Sequence, residues 1–134
     1  MKIDHIGIAT RGIAEVSSFW CEALGIKGFE TEEVKEQGVR VAMLPVGESR
    51  IELLEATRDD SPITSFLEKR GPGIHHIALR VNDISQALNQ LKASGARLID
   101  ETPRTGAGGC LVAFIHPSAT GGVLVELVEQ ANTK

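Results

Sequence analysis

His5, Glu52, His76 and Glu126 are the residues of this chain whose types and placement suit chemistry at a single point. Two imidazoles and two carboxylates offer nitrogen and oxygen donors with no thiolate among them. Such a set binds a divalent first-row metal: cobalt, nickel, zinc, manganese and ferrous iron all accept it. Four protein ligands leave positions on the ion for water or for substrate oxygens. Taken singly, each residue has a plainer explanation. A histidine on an apolar strand is usually structural, and a glutamate among apolar residues usually lies on a solvated sheet face. Their spacing argues otherwise.

The chain repeats itself. Asp4-His5-Ile6-Gly7-Ile8 resembles His75-His76-Ile77-Ala78-Leu79, 71 positions on. At the same shift Ile13 meets Ile84, Glu15 meets Gln86, and Val41-Ala42-Met43-Leu44 meets Val112-Ala113-Phe114-Ile115. Three further positions of shift bring Ile51-Glu52-Leu53-Leu54-Glu55 onto Val125-Glu126-Leu127-Val128-Glu129, as a loop insertion between paired strands would. His and then Glu thus stand at matched points in both halves.

Each half reads as β-α-β-β-β. Alternating residues predict first strands over about 2–9 and 74–82. Apolar residues at helical spacing predict helices over 13–24 and 84–94: Ile13, Val16, Phe19, Trp20 and Leu24, then Ile84, Leu88 and Leu91. Asp83 followed by Gln86 is a capping box. Gly25 and Gly95 suit the left-handed residue that ends a helix. Turn residues then separate strands near 27–35, 38–45 and 49–56, and near 97–103, 109–116 and 122–129. Ser61-Pro62 predicts a connecting helix over about 61–70, ended by Gly71-Pro72-Gly73.

The expected fold is therefore α+β. Two tandem βαβββ modules, about 1–58 and 73–130, form a curled mixed eight-stranded sheet around a metal cleft, with helices outside. The whole chain, 1–134, is read as one domain. Strand alternation puts His5 on a face with Gly7 and His76 on a face with Ala78, small neighbours that leave room for each imidazole. Ile6 and Ile77 then face the helices. His75 matches Asp4 rather than His5, and is expected to face away from the cleft and to support it from behind.

Composition narrows the function. Net charge is −4, which disfavours a general nucleic-acid binder. No apolar run reaches the ~20 residues of a membrane helix, and the first residues enter a strand pattern without a signal-like segment, so the expected location is the cytoplasm. Cys21 and Cys110 do not make a disulfide framework and are read as two reduced thiols.

These residues resemble the vicinal oxygen chelate superfamily (glyoxalase I, extradiol dioxygenases, fosfomycin-resistance proteins). Within it the sequence is most similar to the methylmalonyl-CoA epimerases. The resemblance spans nearly the whole chain. It rests on Asp4-His5-Ile6-Gly7-Ile8-Ala9, Gln37-Gly38-Val39, Ile51-Glu52-Leu53-Leu54-Glu55, His116-Pro117 and Gly122-Val123-Leu124-Val125-Glu126-Leu127. The most specific part is Phe66-Leu67-Glu68-Lys69 through Gly73-Ile74-His75-His76-Ile77-Ala78.

It implies metal ligands at His5, Glu52, His76 and Glu126, a CoA thioester substrate, a homodimer, a place in propionate metabolism, and epimerisation of (R)- and (S)-methylmalonyl-CoA. Some epimerases carry Gln in place of Glu52. Some use a glutamate base where this chain has Val41, so that base cannot be carried over. A lysine often follows the His-Pro motif, where this chain has Ser118.

The reaction removes a proton alpha to a thioester and returns one to the opposite face. It needs a base on each side. With Val41 unable to act, Glu126 and Glu52 are the expected catalytic pair. A glyoxalase I-type lactoylglutathione lyase is the alternative, since it would use the same ligand set. A non-catalytic drug-binding protein of the same fold is a third reading, disfavoured by the complete set. Among the remaining residues, Arg104 and Thr105 are expected to close a hairpin, Lys69 and Arg70 to form a solvated helix end, and Phe19 and Trp20 to pack in the core or at a dimer contact.

Overall fold

The computed structural model describes residues 1–131. The chain forms two compact units, His5–His75, and Met1–Asp4 together with the described residues from His76 onward.

In the first unit, β1 (Lys2–Ala9), which belongs to it from His5 on, leads into α1 (Ile13–Ser17), then β2 (Glu30–Val34), β3 (Val39–Val46), β4 (Ser49–Ala56) and α2 (Pro62–Arg70). The strand order is β2-β3-β4-β1. β1 runs parallel to β4, and the other pairs are antiparallel. Alternation sorts the side chains. On one face Ile8, Ala42, Leu44, Ile51 and Leu53 pack against Ile13, Val16 and Trp20. On the other, Ala9, Val39, Val41 and Leu54 pack against Ile63, Phe66 and Leu67 of α2. The connecting helix therefore belongs to the first unit. Leu44 and Leu53 are fully buried, and each contributes about 1.5–3 kcal/mol relative to exposure.

The helix expected over 13–24 is α-helical only to Ser17. Ser18–Ala23 widens into a π-helix, with Leu24 N–H bonded to Phe19 C=O at 2.9 Å. The wider turn lets Val16, Trp20 and Cys21 pack inward. It leaves Phe19 and Leu24 outside the core, more than half exposed.

In the second unit, β5 (Gly73–Arg80), which belongs to it from His76 on, leads into α3 (Ile84–Ala93), β6 (Arg104–Thr105), β7 (Leu111–Ile115) and β8 (Val125–Glu129). Their order is β5-β8-β7-β6, with β5 parallel to β8. One face packs Leu79, Ala113, Ile115 and Leu127 against Ile84, Leu88 and Leu91 of α3. The other buries Ala78, Val112 and Val128.

Helix ends follow their residues. The Asp83 side chain accepts from Gln86 N–H at 3.0 Å, and Ser61 accepts from Ile63 N–H at 3.2 Å. Gly25 and Gly95 take positive φ, 78° and 83°.

The strand expected over 97–103 does not form. Asp100 Oδ2 takes the Phe114 N–H at 2.8 Å, occupying a donor that a ladder would need. Pro103 has no N–H to give. Only Leu98 makes an isolated bridge, to Ile115, and pairing resumes at Arg104 and Thr105, which close the hairpin with β7. Among the described residues, no helix is long and apolar enough to cross a membrane.

Candidate metal and proton-transfer site

The parallel pairing of β1 with β4 sets Gly7 opposite Glu52, and the antiparallel pairing sets Met43 on its other side. In the second unit Ala78 and Phe114 flank Glu126 in the same way. A small residue beside each glutamate leaves space for the imidazole two positions earlier on the same strand. His5 Nε2 lies 3.4 Å from Glu52 Oε1. His76 Nε2 lies 3.0 Å from Glu126 Oε1. Phe114 supports the second imidazole with an edge-on contact, ring centres 5.5 Å apart.

All four side chains are nearly sealed from water: His5 5% exposed, Glu52 4%, His76 5%, Glu126 7%. Buried carboxylates require partners, because desolvation of an uncompensated charge is costly. Glu52 also has Arg50, two residues back on the same face, which donates Nε (3.2 Å) and Nη2 (2.8 Å) to Oε2. Each pair thus offers one imidazole nitrogen and one carboxylate oxygen.

The pairs fit a metal. Donors about 2.1 Å from one ion stand roughly 3.0 Å apart at a right angle and roughly 3.4 Å apart at the tetrahedral angle. As a simple hydrogen bond, the 3.4 Å pair would be long. His5, His76 and Glu126, with Glu52, are thus candidate metal ligands by chemistry and burial.

Val41 is buried opposite Leu54 on the face that carries Glu52, and its aliphatic side chain offers no proton acceptor there. His75 packs edge-on to Phe66 at 5.0 Å, so it is occupied with α2. Arg70 lies over the same Phe66 ring at 5.9 Å, and Lys69 beside it is exposed. Ser118 is bonded to His116 Nδ1, closing its own turn.

Two features escaped the sequence reading. One is Arg50; alternation alone would have put it on the Glu52 face, but an arginine at a strand start reads as a solvated end. The other is the pair of buried Asp4 with half-buried Arg80, Nε to Oδ1 3.0 Å, for which the sequence carries no local signal.

A sequence profile of the glyoxalase/bleomycin resistance protein/dioxygenase superfamily matches residues 4–114. The chain is 46% identical to the uncharacterised protein YqjC of Bacillus subtilis, over 96% of this chain and 91% of that one. It is 39% identical to the mitochondrial methylmalonyl-CoA epimerase of Mus musculus, over 97% of this chain and 73% of that one. A Streptomyces coelicolor methylmalonyl-CoA epimerase, solved in complex with 2-nitronate-propionyl-CoA, superposes with a TM-score of 0.95 at 38% identity, covering 100% of this chain and 97% of that one. The chain belongs to this superfamily and, within it, to the methylmalonyl-CoA epimerase family. Its α+β fold, two βαβββ modules with eight strands among the described residues, is the fold of those enzymes.

Proposed function

We propose that this chain interconverts (R)- and (S)-methylmalonyl-CoA, with His5, Glu52, His76 and Glu126 together holding one divalent ion. The observation that carries the reading is the repeated buried pair, His5 with Glu52 and His76 with Glu126. The name of the mouse relative and the ligand of the Streptomyces structure support the substrate class, a CoA thioester. They favour epimerisation over the glyoxalase-type reading.

When bound, such an ion stabilises the negative charge that develops on the thioester oxygen. The chain's own groups move the proton. The substrate carbon lies between a thioester and a carboxylate, and epimerisation needs a proton acceptor on each face of the planar enolate. Glu52 and Glu126 are buried carboxylates, one at the matched place in each half, and serve as these acceptors. One removes the proton, and the other returns one from the opposite side. Burial keeps water from competing for it.

Deuterium exchange tests this. The protein is stripped with a chelator and incubated with methylmalonyl-CoA in D2O. The stripped protein should leave the alpha proton in place, and adding back cobalt, nickel, zinc, manganese or iron should restore exchange. Exchange that is indifferent to the chelator would overturn the metal assignment. Turnover of a glutathione hemithioacetal, with no exchange on methylmalonyl-CoA, would move the activity to the lyase.

The same reading makes the enzyme a cytoplasmic homodimer serving propionate metabolism. Its two cysteines are unpaired, in keeping with a reducing compartment. Light scattering on the eluted protein checks the dimer.

A further inference from the structure

The two halves match at the ligands but differ two residues before each glutamate. Arg50 precedes Glu52, whereas the matched place before Glu126 is Leu124. Leucine has neither charge nor donor. Arginine has both, and here it uses them: Nε and Nη2 converge on Oε2 of Glu52, at 3.2 and 2.8 Å. Glu52 Oε1 is left toward His5 Nε2. The Arg50 side chain is 26% exposed, while that of Glu52 is 5% exposed. The cation therefore reaches in from the rim to a sealed anion.

We infer that Arg50 is a positioning residue for the reaction. It fixes which oxygen of Glu52 is presented, and it cancels the charge of Glu52 so that the site receives an anionic substrate. The inference rests on the epimerase reading above. Methylmalonyl-CoA brings a carboxylate to the reacting carbon, and a buried Glu52 stripped of its guanidinium would repel it. Arginine suits the task better than lysine, because its planar fork holds one orientation while lysine is a mobile point charge. The matched leucine leaves Glu126 without this clamp.

The test is a double-mutant cycle with two readouts. The first is thermal unfolding of the full chain in chelator. Arg50→Gln should lower Tm, and Glu52→Gln added to it should recover most of the loss, since an amide needs no counter-charge. Additive losses would overturn the inference, whatever the enzyme's substrate. The second is calorimetric binding of methylmalonyl-CoA to the metal-loaded proteins. Arg50→Gln should weaken binding about 10-fold with metal content unchanged. Arg50→Lys, which keeps the charge and loses the fork, should retain most of the affinity and lose more in kcat than in KM. Unchanged affinity in Arg50→Gln would reduce the arginine to a structural ion pair. Failure of the epimerase reading itself appears separately, as absent deuterium exchange in the parent protein.

Discussion

Glu55 Oε1 accepts the backbone N–H of Ile13 at 2.7 Å, tying the end of β4 to the first turn of α1. Glu129 accepts the N–H of Ile84 at 3.0 Å, repeating the device at α3. Both bonds satisfy a donor that a helix start leaves open, and both place a negative group at the positive end of a helix. Each acceptor sits three residues past a candidate ligand, on the same strand and the opposite face. Glu129→Ala should cost about 1–2 kcal/mol of stability. Calorimetry of unfolding would register it, while exchange activity per folded molecule should stay near that of the parent.

Glu126→Gln keeps an oxygen donor but can accept no proton. It should lower deuterium exchange by at least about 100-fold while far-UV circular dichroism stays unchanged. A variant with near-normal exchange would remove Glu126 from the catalytic pair.

Glu52→Gln should retain metal, because the amide oxygen still coordinates, and should lose most epimerisation. The result to watch is full activity, which would leave Glu126 working with some other acceptor and refute the two-glutamate mechanism. Metal content by plasma emission and exchange by NMR answer both halves.

His76→Ala removes a nitrogen donor that lies 3.0 Å from Glu126 and leaves a gap beside Phe114. Metal affinity should fall about 10- to 100-fold or more, read by competition with a chelating dye. Wild-type affinity would exclude His76 as a ligand.

Ser61 is fully buried and caps α2 through Ile63 N–H. Ser61→Ala should cost about 1 kcal/mol, seen as a lower Tm, with catalysis intact.

The two buried His–Glu pairs were legible because duplication marks them twice. One His-Ile on a strand says little, but the same word followed by the same Ile-Glu or Val-Glu in both halves defines faces as well as types. Helix starts were legible for a local reason, the side chains of Ser61 and Asp83. The widened turn after Ser17 was not, because an apolar spacing compatible with 3.6 residues per turn does not reveal an added residue. Residues 97–103 misled for a tertiary reason. Their pattern suits a strand, but Asp100 spends its side chain on the very N–H a strand would use. Arg50 was passed over because its partner is found only when the face of Glu52 is known to be sealed.

The mismatch of Arg50 with Leu124 has a meaning beyond the site. A half-length ancestor pairing with its own copy would carry arginine at both places or at neither, because symmetry repeats every change. Fusion of the two copies frees each place to vary alone. Mutational drift on either side then acts on one His–Glu pair at a time, so a chain of this kind can give its two pairs unequal neighbours without disturbing the fold they share.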